Sequence, residues 1–316
     1  MKRNLLLSAF SVLLASAIPA AASDCPGFLP PNDLKIPVNS LDARGIIETQ
    51  FNEVINTIER IYKPVVAAQG KVLQINRLWT DSTVNANTSL SGNRFILNMY
   101  GGLARHETIT MDGFALVVCH ELGHHLGGAP KGGWATIEGQ SDYYANLKCL
   151  RMVFADPAAT AFTRVKGSDE VAQKECDAAF TAPADRAICL RAAMAGKSVS
   201  YLFKTLHNDP VFPGFDTPDP KVVTAMFTDH PATQCRMDTY LQGSLCQRPV
   251  TAPLSNTNTA DGACTRSAGF SGGFRPLCWY KPANAAELLP PLQRTFGEEE
   301  PQFPAFSALN GDVSWY

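Results

Sequence analysis

Apolar residues recur at three- and four-residue steps through 41–66, at Ile47, Phe51, Val54, Ile55, Ile58, Tyr62 and Val65. That period predicts an amphipathic helix, which Pro64 ends or bends. Residues 72–79 and 94–100 read as strands, joined by a polar stretch rich in Asn, Ser and Thr. An unbroken apolar run at 114–118 suits a buried helix; Thr110 or Asp112 is its N-cap, and Gly127-Gly128 supplies a left-handed stop. A second helix runs on through 143–152. From 168 to 206 the chain turns to Ala and charged residues, which predicts a helical hairpin. The Pro-rich stretch 210–220 leads into a helix at 222–227. Beyond Gln247, Asn, Thr, Gly and Pro dominate. The pattern is that of an α+β domain over 24–246, with a small β-sheet, followed by a loop-rich tail over 247–316, and no internal repeats appear.

The first residues read differently. Lys2 and Arg3 precede a short apolar run and the small residues Ala20-Ala21-Ala22, the layout of a signal peptide over 1–23 cut before Ser23 or Asp24. The run is too short to span a bilayer, and no later segment has the length, so the mature chain carries no integral membrane segment. A periplasmic or secreted protein is expected. A formal net charge of −2 and the lack of a basic run argue against nucleic acid as a partner. Nine cysteines without a Cys-x-x-Cys pair read as disulfides in an exported chain. Cys176 and Cys189 flank the turn of the helical hairpin and can clip it. Cys119 and Cys149 either bridge or stay buried as thiols. The pairing among Cys235, Cys246, Cys264 and Cys278 is open, with Cys25 the expected odd thiol.

The chemistry lies in Cys119-His120-Glu121-Leu122-Gly123-His124-His125. Its HExxH pattern puts His120 and His124 one helical turn apart on one face, where two imidazoles can hold one metal ion. Glu121 can then serve as the base for a water on that ion. A metzincin needs a further His six residues after His124; that position is Pro130, which cannot bind metal. Glu138 and Asp142, again four apart, lie on a second helix that the Gly/Pro-rich loop 128–133 lets fold back. Glu138 can complete a two-His, one-Glu site with one open position. Asp142 can accept a hydrogen bond from the far nitrogen of a ligating His. His125, about 100° round the helix, is off the ligand face and has a packing role. His106 and His207 match no motif.

The order HExxH, ExxxD and then HPxxxxR (His230 to Arg236) resembles the gluzincin zinc metallopeptidases, and within them the CAAX-prenyl-protease and HtpX-type family. The resemblance covers residues 93–145 and 229–237. The membrane helices of well-known members are absent. It implies a gluzincin-like domain holding one catalytic zinc ion on His120, His124 and Glu138. Glu121 would be the general base, His230 the donor to the developing oxyanion, and Arg236 a support for that donor or a holder of substrate backbone. It also implies that 93–99 is an edge strand that binds extended peptide. The function expected is a metalloendopeptidase acting on a peptide or protein substrate. The alternatives are a metalloamidase on a non-peptide amide, or a periplasmic quality-control or assembly factor with latent proteolysis.

Overall fold

A computed structural model describes residues 23–25 and 27–284. The expected signal peptide, save Ser23, and tail residues 285–316 lie outside the described residues. The architecture is α+β, with one four-stranded sheet packed on helices. The amphipathic segment forms helix α1, Glu48–Ala67, which buries Phe51, Val54, Ile55, Ile58 and Tyr62. It does not begin at 41, because the amides of Arg44 and Gly45 bond to Arg105 O and that of Ile46 to Ala104 O. Those bonds need extended backbone. Gln50 Oε1 accepts from Ile47 N at 3.1 Å and marks the true start. Pro64 sits close to the end, and the helix runs past it to Ala67.

Strands β2 (Val72–Leu78) and β4 (Arg94–Tyr100) lie where the pattern puts them. The polar stretch between them is itself partly a strand, β3, Ala86–Ser91. Gly92, at a φ of 59°, makes the tight turn from β3 to β4. A two-residue strand, β1 (Ser23–Asp24), lies antiparallel to β3, so the sheet order is β1-β3-β4-β2. β4 is therefore paired on both sides, to β3 antiparallel and to β2 in parallel. The expectation that 93–99 is an edge strand is corrected: β4 is interior, and the outermost strands of the sheet are β1 and β2.

A short helix, α2 (Gly101–Ala104), leads to the buried helix α3, Met111–Leu126. Thr110 Oγ1 accepts from Gly113 N at 3.1 Å, so Thr110 is the N-cap. Gly128 takes a φ of 71° and breaks the helix direction. A hairpin of β5 (Lys131–Gly132) and β6 (Ala135–Thr136) returns the chain to α4, Glu138–Tyr144, lying across α3. The crossing is close at Gly123, where a Cβ would sit 3.0 Å from the backbone of Ser141. α4 continues through a π-turn, Ala145–Cys149, into α5, Leu150–Phe154. Cys119–Cys149 ties α3 to this second helix.

Helices α6 (Glu170–Ala179) and α7 (Pro183–His207) form the expected hairpin, clipped by Cys176–Cys189. The expected helix at 222–227 does not form. Val223 N bonds to Leu277 O and Phe227 N to Trp279 O, each at 2.9 Å, so this segment is extended against the tail. Helix α8, Thr233–Leu245, follows. Cys235–Cys278 and Cys246–Cys264 staple the tail to it and to its end, and Cys25 takes no part in the four bridges. Among the described residues no helix is long and apolar enough to cross a membrane.

Candidate metal centre

His120, Glu121 and His124 project from the middle of α3, and Glu138 from the first turn of α4. All four are almost wholly buried. His120 Nε2 lies 3.1 Å from His124 Nε2 and 3.3 Å from Glu138 Oε2, and His124 Nε2 is 3.6 Å from Glu138 Oε1. The three side chains thus form a group that can hold a metal ion.

The far side of each ring fixes its tautomer. His120 Nδ1 donates to Asp142 Oδ1 at 2.7 Å, and His124 Nδ1 donates to Thr136 O at 2.7 Å. Acceptors on both Nδ1 atoms put the protons there and turn each Nε2 lone pair inward. Two such lone pairs and a carboxylate at these distances repel unless a cation lies among them. Tetrahedral metal–nitrogen bonds of about 2.0–2.1 Å put ligating nitrogens about 3.3 Å apart, close to the spacing found. The donor set therefore fits a divalent cation.

The electrostatics fit as well. Burial acts against an imidazolium at His120, but Asp142 and Glu138 outweigh it and raise its pKa to about 9. Burial lowers His124 to about 4, so the pair takes at most one proton beyond its two Nδ1–H groups, and a metal ion would compete with that proton. Burial also opposes ionisation of Glu138, yet His124, His120 and His230 hold it below the usual carboxylate range. Burial pushes Glu121 up to about 8. Both Glu121 oxygens are buried with no protein hydrogen-bond partner, and so is Glu138 Oε2. Orphaned carboxylate oxygens beside a metal-competent cluster are acceptors reserved for a ligand.

Behind the cluster lies a closed polar network. Asp142 Oδ1 accepts from His120, from Arg236 Nη2 at 2.8 Å and from Tyr240 OH at 2.9 Å, while its Oδ2 accepts from Arg236 Nε at 2.8 Å. Arg236 Nη1 donates to Phe28 O at 2.9 Å, and its guanidinium lies 4.0 Å from the Phe203 ring centroid. Arg236 is only 1% exposed. The resemblance makes it a support for the oxyanion donor or a holder of substrate backbone; in the fold its guanidinium is bonded to Asp142, which in turn bonds His120. The Arg236 and Tyr240 side chains reach Asp142 from one turn apart on α8, a spacing readable in the sequence once Asp142 is suspected.

His230 stands at the front. Its Nε2 is 3.6 Å from Glu138 Oε2 and donates to Gly27 O at 2.7 Å. The chain thus brings His120, Glu121, His124, Glu138, Asp142, His230 and Arg236 into one neighbourhood, with Arg236 behind it. His125 packs instead, stacked on Phe95 at 4.1 Å with its Nε2 2.7 Å from Thr88 Oγ1. Beside the cluster a cleft of about 280 Å³ is lined by His124, Trp134, Ala135, Ile137, Glu138 and Cys25, among others. The carbonyl of Thr136, which orients His124, and the contacts of Gly27 and Phe28 carry no motif and were not legible in the sequence. Comparison with protein-family models, with curated proteins and with solved structures finds no match to the chain.

Proposed function

We propose that the protein is an exported zinc-dependent metallopeptidase of the gluzincin type. The observation that carries this reading is the buried His120–His124–Glu138 group with the orphaned Glu121 carboxylate beside it. When bound, zinc supplies a Lewis acid that polarises a carbonyl and makes water acidic near neutral pH. His120, His124 and Glu138 would hold it, with Asp142 and Thr136 O keeping both imidazoles in the ligating tautomer. Glu121 takes a proton from the attacking water as the new C–O bond forms, then delivers it to the amine as the C–N bond breaks. A pKa raised by burial suits a group that must both accept and release that proton. His230 Nε2 donates to the carbonyl oxygen as it gains charge. Four disulfides are in keeping with an oxidising compartment outside the cytoplasm.

Metal analysis and hydrolysis of a quenched-peptide library by the purified chain test this directly. One zinc per chain is expected in the wild type and in Glu121→Gln, with hydrolysis only in the former. His120→Ala and Glu138→Ala should lose the metal. Full zinc occupancy in Glu138→Ala overturns the ligand set. Zinc binding without hydrolysis of any peptide favours instead the binding factor with latent proteolysis. The near-complete burial of the ligands favours that second reading.

A further inference from the structure

Resting on the peptidase reading, a question of access follows: what lies over the metal residues? Residues 23–25 and 27–29 lie there. Ser23 and Asp24 pair with Leu90 and Ser89 along the outer side of β3, and Cys25 N donates to Thr88 O at 3.0 Å. Phe28 N donates to Ala86 O at 2.8 Å, and Leu29 N to Asn85 Oδ1 at 3.0 Å. These bonds therefore run along β3 from Leu90 to Ala86. Cys25 forms part of the wall of the cleft that contains His124 and Glu138. Gly27 places its carbonyl oxygen on His230 Nε2. The Phe28 ring meets the His120 ring edge-on, with centroids 4.8 Å apart. Strand-like pairing at a sheet edge, with a carbonyl held by a donor beside a metal group, is how an extended peptide would be bound.

We infer that the outer side of β3 and the His230 donor form the peptide-binding groove of this site, and that residues 23–25 and 27–29 occupy it as an intramolecular stand-in that a substrate must displace. The geometry at Gly27 shows how the stand-in is seated. Its φ is 105°, a conformation side chains rarely adopt, and an added Cβ would lie 3.1 Å from Ala86 O and from Asn85 Oδ1. The segment can lie this close to β3 only because position 27 has no side chain. The groove therefore selects extended peptides that put a small residue at this position. The anchor is asymmetric. Phe28 and Leu29 are fully buried in the core, whereas Cys25 is buried in the cleft wall and residues 23–25 carry the backbone bonds to β3. Displacement then means peeling 23–25 and Gly27 from β3 while Phe28 stays.

The test uses the full chain and two independent substitutions that loosen the segment. Gly27→Val introduces the clash with β3, and Cys25→Pro removes the amide that bonds Thr88 O. Fluorescein-labelled Ser-Asp-Cys-Pro-Gly-Phe is the probe, its binding followed by anisotropy in a Glu121→Gln background so that hydrolysis plays no part. Circular dichroism checks that each variant is folded. Both substitutions should tighten probe binding by about tenfold or more over Glu121→Gln alone. With Glu121 restored, kcat/KM on a quenched peptide should rise by a similar factor. Folded variants that bind the probe no better than the parent overturn the inference, whatever their activity. Tighter probe binding with no hydrolysis in any form supports the groove and its stand-in, and overturns only the peptidase reading. If neither substitution folds, hydrogen exchange on the unaltered chain decides. Faster exchange at Cys25 than at Phe28 and Leu29 supports peeling, and equal protection of all three overturns it.

Discussion

The helix that carries Glu138 is covered from two sides by segments without helical structure of their own, and the two are held by opposite means. At the front, residues 23–25 rest on β3 through backbone hydrogen bonds. At the back, the tail is fixed covalently through Cys235–Cys278 and Cys246–Cys264, and by side chains driven into the core. Trp279 is fully buried, its indole lies where Gly139 has no side chain, and its Nε1 donates to Thr239 Oγ1 at 2.9 Å. Arg275 Nε donates to Gln140 Oε1, and Gln140 Nε2 in turn to Gly127 O at 2.9 Å, so the tail also fixes the end of α3. Backbone pairing at a sheet edge can exchange with another strand; buried anchors and bridges cannot without unfolding. The back therefore holds the ligands in place, and the front governs access to them.

That contrast can be broken from either side. The largest effect is expected at the chemistry the front covers: Glu121→Gln should lower turnover by about 10³- to 10⁴-fold, read as kcat on a peptide, with the melting temperature unchanged or higher because an unpaired buried carboxylate is gone. At the back, Trp279→Ala should cost about 3–5 kcal/mol of stability, measured by chemical denaturation, and weaken metal binding because Glu138 is next to the cavity created. If Trp279→Ala leaves metal affinity untouched, the tail does not brace the site. His230→Ala, at the front, should cost about a hundredfold in kcat and leave both metal content and stability near the wild type. Smallest, and a control outside both covers, Thr110→Ala should lose about 1 kcal/mol through the α3 cap with kcat unchanged.

How much of this was legible in the sequence depends on whether the deciding partner was near or far along the chain. The metal-competent pair His120 and His124, and the pair Glu138 and Asp142, each follow from helical spacing, because four residues on a helix fix a shared face, and the Gly/Pro-rich loop 128–133 lets the two faces meet. Strand β3 escaped notice because Thr88 and Ser89 are buried through pairing rather than through apolarity, Thr88 being matched with His125 across the sheet and helix. The resemblance makes 93–99 an edge strand, and the apolar alternation there cannot correct it, because alternation shows that a strand is buried and not whether it has one neighbour or two. The segment 222–227 was read as a helix, but its hydrogen-bond partners lie in the tail at Leu277 and Trp279, over fifty residues on, where no local pattern can announce them. The motif marks Arg236 but not its contacts, because its partners Asp142 and Phe28 lie 94 and 208 residues earlier in the chain.

The Cys119–Cys149 bridge closes a covalent ring that holds His120, Glu121, His124, Glu138 and Asp142 together. In the denatured chain these groups cannot drift apart as free segments do, so an oxidised, unfolded molecule keeps its two imidazoles and its carboxylate at high local concentration. A metal ion that binds the folded centre then finds a weaker but real competitor in the unfolded ensemble, and its contribution to stability is smaller than its affinity for the native site implies. Opening the ring by reduction does not remove that competitor, because it frees two thiols, one of them next to His120, that can bind the ion in the unfolded chain. The same ion would then stabilise the fold by a smaller increment still, and the reduced chain as a whole is less stable.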